Sequence, residues 1–128
     1  VRLDISDNPM TGAVAPALVA LIKSQPRLKV LNVNDTSLGN EGAIAVALAV
    51  AASPSDLEEL EMALNEVTPQ GARALAVAVA AKASSLRRLN LRENELEDRG
   101  LAILSKAIAK ASLLLSVDLC GNQARRVG

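Results

Sequence analysis

The chain has 128 residues, with 14 basic and 14 acidic side chains and a formal net charge of zero. It has no histidine, no aromatic residue and a single cysteine. Those facts exclude a bulk electrostatic pull on nucleic acid, a catalytic histidine pair, a histidine-rich metal site and an internal disulfide framework.

The first predicted element is a strand near 2–6, where Leu3 and Ile5 alternate with polar neighbours. Asn8 follows, and the apolar period then lengthens to about four, which predicts a helix over 13–24. A second strand near 30–34 carries Leu31 and Val33, with Thr36 where Asn8 stood, and a helix over 41–52. The third unit has Leu60 and Met62 on a strand near 59–63, then Asn65 and a helix over 70–82. The fourth has Leu89 and Leu91 near 88–92, then Asn94 and a helix over 99–110. A last strand near 116–120 carries Val117 and Leu119, with Asn122 after it. All ten of these strand side chains are expected to face the core. The helix spanning "GAIAVALAVAA" is apolar but too short to cross a bilayer. The opening "VRLDISDN" lacks the basic and apolar pattern of a secretion signal.

The units share one frame. Their polar origins fall at 8, 36, 65, 94 and 122, steps of 28, 29, 29 and 28 residues. Leucine stands eight positions before the origin at Leu28, Leu57, Leu86 and Leu114. Glycine stands six positions after it at Gly42, Gly71, Gly100 and Gly128, which predicts close helix-to-sheet approach. The first unit departs, with Val14 in that column and Gly12 nearby, so its loop is expected to differ. Three positions after the origin, Thr11, Gly39, Thr68 and Glu97 form a predicted capping column, strongest at Thr68-Pro69. Lys23, Lys82, Lys106 and Lys110 lie near helix ends, where positive charge suits the helix dipole. The pattern resembles the leucine-rich repeat, L-x-x-L-x-L-x-x-N-x-L. That resemblance implies an α/β right-handed solenoid, or horseshoe, with a parallel sheet on the concave side and helices on the convex side. Residues 1–128 are then one domain of about four and a half repeats, expected to be a fragment truncated at both ends.

Two sets of residues are candidates for partner binding. On the concave face the column four before the origin holds Asp4, Asn32, Glu61, Asn90 and Asp118. The column one before it holds Asp7, Asp35, Leu64, Glu93 and Gly121, with Arg2, Arg88 and Arg92 in neighbouring columns. Strands about 5 Å apart would gather these charges into a recognition surface, which is favoured over a catalytic carboxylate pair. The second set lies on loops along one edge: Asn40, Glu41, Glu95, Glu97, Asp98 and Arg99. The asparagines at the origins are read as structural, each satisfying backbone groups of its own and the adjacent turn. Cys120 has no base beside it along its strand and is read as a small strand residue in a reducing compartment. No cofactor and no metal site is expected.

The 28/29 alternation resembles the ribonuclease-inhibitor-like class of these repeats. The phrases "LIKSQPRL", "LGNEGAIAVA" and "LRRLNLRENELEDRGLAILSKAI" look most like the C-terminal repeats of plant and green-algal Ran GTPase-activating proteins. That resemblance implies a parent that binds Ran-GTP and speeds hydrolysis by ordering Ran's own catalytic groups through an asparagine. That asparagine belongs to earlier repeats and is not carried over to any position here. The resemblance also implies a cytoplasmic parent, at the nuclear envelope, and a monomer, with self-association through uncapped ends expected of the fragment. The fragment itself is read as a non-enzymatic interaction solenoid without nucleic-acid or membrane-spanning role. The alternative is a binding module of the ribonuclease-inhibitor or immune-receptor type with no GTPase partner.

Overall fold

The computed structural model describes residues 1–9 and 11–122. The frame positions Met10, Ala124 and Gly128 lie outside them. Strands β1 (Arg2–Asp4), β2 (Val30–Asn32), β3 (Glu59–Glu61), β4 (Arg88–Asn90) and β5 (Ser116–Asp118) form one sheet in chain order. Every neighbouring pair is parallel, and Leu3, Leu31, Leu60, Leu89 and Val117 stand in register across it. The helices α1 (Ala15–Ser24), α2 (Gly39–Ala52), α3 (Pro69–Ala81) and α4 (Glu97–Ala109) return the chain and pack on one another in sequence. The result is an open α/β solenoid of the expected class.

The strands are shorter than predicted, three residues each. The physical reason is the turn that follows. The residue before each origin adopts a left-handed backbone, at Asp7, Asp35, Leu64, Glu93 and Gly121. Such a residue cannot continue a strand. Backbone hydrogen bonds between repeats nevertheless run on past the strands, from Val33 N–H to Glu61 O and from Asp35 N–H to Ala63 O.

Between the layers lies an aliphatic core. Leu31, Val33, Leu60, Met62, Leu89 and Leu91 are buried beneath the sheet, as the alternation predicts, and pack on Leu18, Ile22, Val46, Val50, Leu75, Val79 and Leu104 of the helices. Leu3, Ile5 and Leu119 are half-buried. Val117 departs from its predicted inward role at 38% exposed, because no described helix follows β5 to cover it. No described helix is long and apolar enough to cross a membrane.

The capping column needs correction. Helices α2 and α4 start at Gly39 and Glu97, so those residues are the first helical positions and not caps. The caps are Leu38 and Leu96, whose side chains are buried and cannot bond the helix N–H groups. Thr68 does cap α3 with Pro69 after it, yet its hydroxyl makes no capping hydrogen bond. In the first repeat a single 3-10 turn, Gly12–Val14, leads into α1. The glycine column also works differently from expectation. A methyl on Gly100 would meet Pro69 Cα at 3.3 Å and Ala72 Cβ at 3.4 Å, and one on Gly71 would meet Asn40 Oδ1 at 2.6 Å. Nearer still, such a methyl would meet Val67 Cγ1 at 2.5 Å on Gly71 and Leu96 Cβ at 3.1 Å on Gly100, so these glycines make room for the turn that precedes their own helix and for the neighbouring helix, not for the sheet.

Lys82, at the C-terminal cap of α3, reaches into the preceding repeat. It is 6% exposed, and its ammonium donates to the carbonyls of Ser53 and Ser55, each at 2.6 Å. It therefore ties down the loop after α2, a role that its nearness to a helix end did not disclose. Burial pushes its ammonium below the usual lysine value of 10.5, against the opposing pull of the Asp56 carboxylate. The unfolded chain thus keeps this proton to higher pH than the folded one, and stability contributed by Lys82 rises with pH between the two values. We expect the native chain to gain stability relative to Lys82→Met as pH climbs from neutral towards 10.5. Urea midpoints for both proteins across that range would test this, and a constant gap would contradict it.

Candidate functional site

The predicted asparagine ladder occupies the turn at one end of the strands. Asn65 Nδ2 donates to Val33 O at 2.8 Å in the preceding repeat and to Ala63 O at 3.1 Å in its own. Its Oδ1 accepts from Thr36 N–H at 3.2 Å and Leu38 N–H at 3.1 Å. Asn94 repeats the arrangement one step on, bonding Met62 O, Leu91 O and the N–H groups of Asn65 and Val67. Asn122 does likewise against Leu91 O and Leu96 N–H. All three are buried and satisfied, so they belong to the scaffold. Asn8 differs from the prediction: it is exposed, and among the described residues its side chain bonds Ile5 O and Ser6 O of its own turn. Thr36 is buried, and its hydroxyl lies 2.8 Å from Val33 O and 3.0 Å from Asn65 Oδ1.

On the outer face of the sheet, Asp4, Asn32, Glu61, Asn90 and Asp118 stand side by side in strand register, as the frame predicts. Four of the five are turned onto their own backbone. Asp4 accepts from Ser6 N–H, Asn32 from Asn34 N–H, Asn90 from Arg92 N–H and Asp118 from Cys120 N–H, all near 3.0 Å. A short side chain closes such a two-residue ring, and a glutamate is too long for it. Glu61 instead accepts a long 3.4 Å bond from Asn90 Nδ2. The Ser6 hydroxyl, followed by its N–H, holds the Asp4 carboxyl below its ordinary value. The Cys120 N–H does the same for Asp118. Arg2 pairs with Asp4 at 3.3 Å and Arg92 with Asp118 at 3.5 Å. Much of the charge on this face is therefore answered locally.

The column of Asp7, Asp35, Leu64, Glu93 and Gly121 is exposed and lies along one rim of that face. Its acidic character has a backbone reason as well, since aspartate tolerates the left-handed region that all five adopt. Arg88 stands beside Glu59 in register. Sequence reasoning missed Asn34, whose Oδ1 accepts Ala63 N–H at 2.7 Å and so forms a second link between repeats. Its position two before the origin was the available signal.

The edge set divides. Asn40 is half-buried, donates to Gln70 Oε1 at 3.1 Å and accepts from Thr68 N–H at 3.3 Å, so it joins two repeats. Glu41, Glu95, Glu97, Asp98 and Arg99 are exposed. Among the described residues the polar side-chain atoms of these five form no ion pair, and no hydrogen bond engages them. Asn40 and Glu41 fall within the first turn of α2, and Glu97, Asp98 and Arg99 within that of α4, so of the six predicted loop residues only Glu95 is on a loop. Cys120 is exposed, and no cluster of potential metal ligands occurs among the described residues.

Comparison with known proteins gives one family match: a model described as Leucine Rich repeat fits residues 26–47, 53–76 and 82–105. No curated protein matches the chain.

Proposed function

This chain belongs to the leucine-rich repeat family, and from that premise we propose that it serves as the protein-binding part of an activator of the small GTPase Ran. Repeats of this family are protein-interaction modules, and the finer assignment rests on the phrases of sequence quoted above. The observation that carries the edge as the contact surface is the contrast between the two candidate sets. Asp4, Asn32, Asn90 and Asp118 of the sheet face are held by their own backbone. Glu41, Glu95, Glu97, Asp98 and Arg99 present uncommitted charges along one edge. An edge-on partner meets those charges directly. A partner lying over Asp4, Asn32, Asn90 and Asp118 would first have to displace bonds already made, and it would meet the open charges of Asp7, Asp35 and Glu93 only along the rim of that face.

Activation by this route is positioning, in which a small misplacement loses about a hundredfold in rate. The groups that order Ran are assigned to repeats other than these, so these residues alone are expected to give little or no stimulation. The test is single-turnover hydrolysis by Ran-GTP, with this chain and with a longer parent. The parent should stimulate; this chain should bind weakly, and more weakly still after Glu95→Lys with Asp98→Lys. Full stimulation by this chain would overturn the assignment of the ordering groups elsewhere. A folded parent without stimulation would overturn the Ran reading in favour of a ribonuclease-inhibitor or immune-receptor type of binding module.

A further inference from the structure

We propose that the groove between α3 and α4 is a second docking surface, one that takes an acidic segment of a protein partner with an apolar side chain at its centre. The groove shares Arg99 with the edge, but the proposal does not depend on Ran being the partner there.

The groove encloses roughly 450 Å³ and is lined by Arg73, Arg99, Ala102, Ile103 and Lys106. It continues past Arg73 and Arg99 to Pro69 and Gln70. No acidic residue lines either part. Among the described residues three cations are answered by a carboxylate: Arg2 by Asp4, Lys29 by Glu58 and Arg92 by Asp118. Arg73, Arg99 and Lys106 form no ion pair among the described residues, and all three are exposed. In a chain with zero net charge, three unanswered cations in one groove are a local excess.

Their spacing defines what fits. Arg99, Ile103 and Lys106 fall at i, i+4 and i+7, hence on one face of α4. Two cations about 10 Å apart along the helix thus bracket a half-buried isoleucine, and Arg73 faces them from α3. One carboxylate can meet the Arg99 guanidinium fork and another the Lys106 ammonium, and an apolar side chain between them covers Ile103 and Ala102. The arrangement is not a by-product of the repeat. At the frame positions of Arg73, Arg99 and Lys106, α2 carries Ile44, Glu41 and Leu48. A nucleic acid fits poorly, because the chain has no aromatic side chain on which a base could stack. A lone phosphate would leave the apolar floor uncovered.

The test follows the Ile103 methyl signal of the full chain by NMR. The probe is a synthetic peptide in which glutamates flank one leucine. Saturable shifts at Ile103 are expected, with binding weakened about tenfold or more by Arg73→Glu with Arg99→Glu, and weakened by added salt. Ile103→Ala, which keeps every charge, should weaken binding several-fold, read in that variant from the Ala102 methyl signal. Arg73 and Arg99 are exposed and Ile103 is only half-buried, so the folded circular dichroism of each variant should match the native chain. Equal binding of a peptide with glutamine for glutamate would overturn the proposal. Inorganic phosphate giving the same shifts at the same concentration would reduce the groove to a simple anion site and also overturn it. So would binding to phosphatidylserine vesicles without binding to the peptide.

Discussion

Replacing Asn65 with alanine is expected to destabilise the fold by about 3 kcal/mol. The side chain is fully buried and serves two repeats at once. Its removal strands the N–H groups of Thr36 and Leu38 in a buried turn and takes one of two donors from the Val33 and Ala63 carbonyls, which keep the Thr36 hydroxyl and the Asp35 N–H. Each buried group left unpaired costs about 1–3 kcal/mol, and local relaxation recovers part of the sum. Asn8→Ala is the internal control. Asn8 is exposed, and among the described residues its side chain bonds its own turn, so a change within about 0.5 kcal/mol is expected there. Urea unfolding followed by far-ultraviolet circular dichroism reads both, since the chain has no aromatic fluorophore. Equal midpoints for the two variants would show that burial does not distinguish the asparagines.

The second large effect is expected at Leu60. Its side chain is 1% exposed and lies between Leu31 and Leu89 in the middle of the sheet. Leu60→Ala should destabilise by about 3–4 kcal/mol, from lost burial and from the cavity that neighbouring strands cannot close. Four residues on, Leu64 is the opposite case. It is 50% exposed, with a left-handed backbone at φ 58°. Leu64→Asn should be neutral or stabilising by up to about 1 kcal/mol, because asparagine tolerates that backbone better than leucine does. A loss of stability at Leu64 comparable with that at Leu60 would mean that its side chain is not on the surface.

The fold was legible because a solenoid writes its geometry into spacing. Leu31, Leu60 and Leu89 recur at the repeat length, and that recurrence alone predicts their register. The ends of elements were less legible. Hydrogen bonding and backbone sterics decide them, and Leu38 and Leu96 stand at helix starts where no side chain could signal a cap. The candidate sites were legible as columns but not as roles. Asp4 and Glu61 share a column, yet one extra methylene separates a carboxylate closed on its own backbone from one left outward. Lys82 escaped notice because its partners, Ser53 and Ser55, are set by the packing of one repeat on the next. Arg73 and Lys106 were unremarkable in sequence, since only the approach of α3 and α4 brings them into one groove.

The substitution of threonine for asparagine at position 36 divides the stack into unequal bonds. From the second repeat onward, side chains of Asn65, Asn94 and Asn122 reach back across each boundary. The Thr36 hydroxyl reaches only Val33 O and Asn65 Oδ1, so no ladder side chain crosses back to the first repeat among the described residues. That boundary is held by backbone pairing, such as Ile5 N–H to Asn32 O and Asp7 N–H to Asn34 O, and by aliphatic contact. In a linear array, cooperativity is set by the coupling between nearest neighbours. The first repeat is thus expected to behave as a semi-independent unit: its amides should exchange with solvent through partial openings that leave the later repeats intact, and a force drawn along the stack should part it there first.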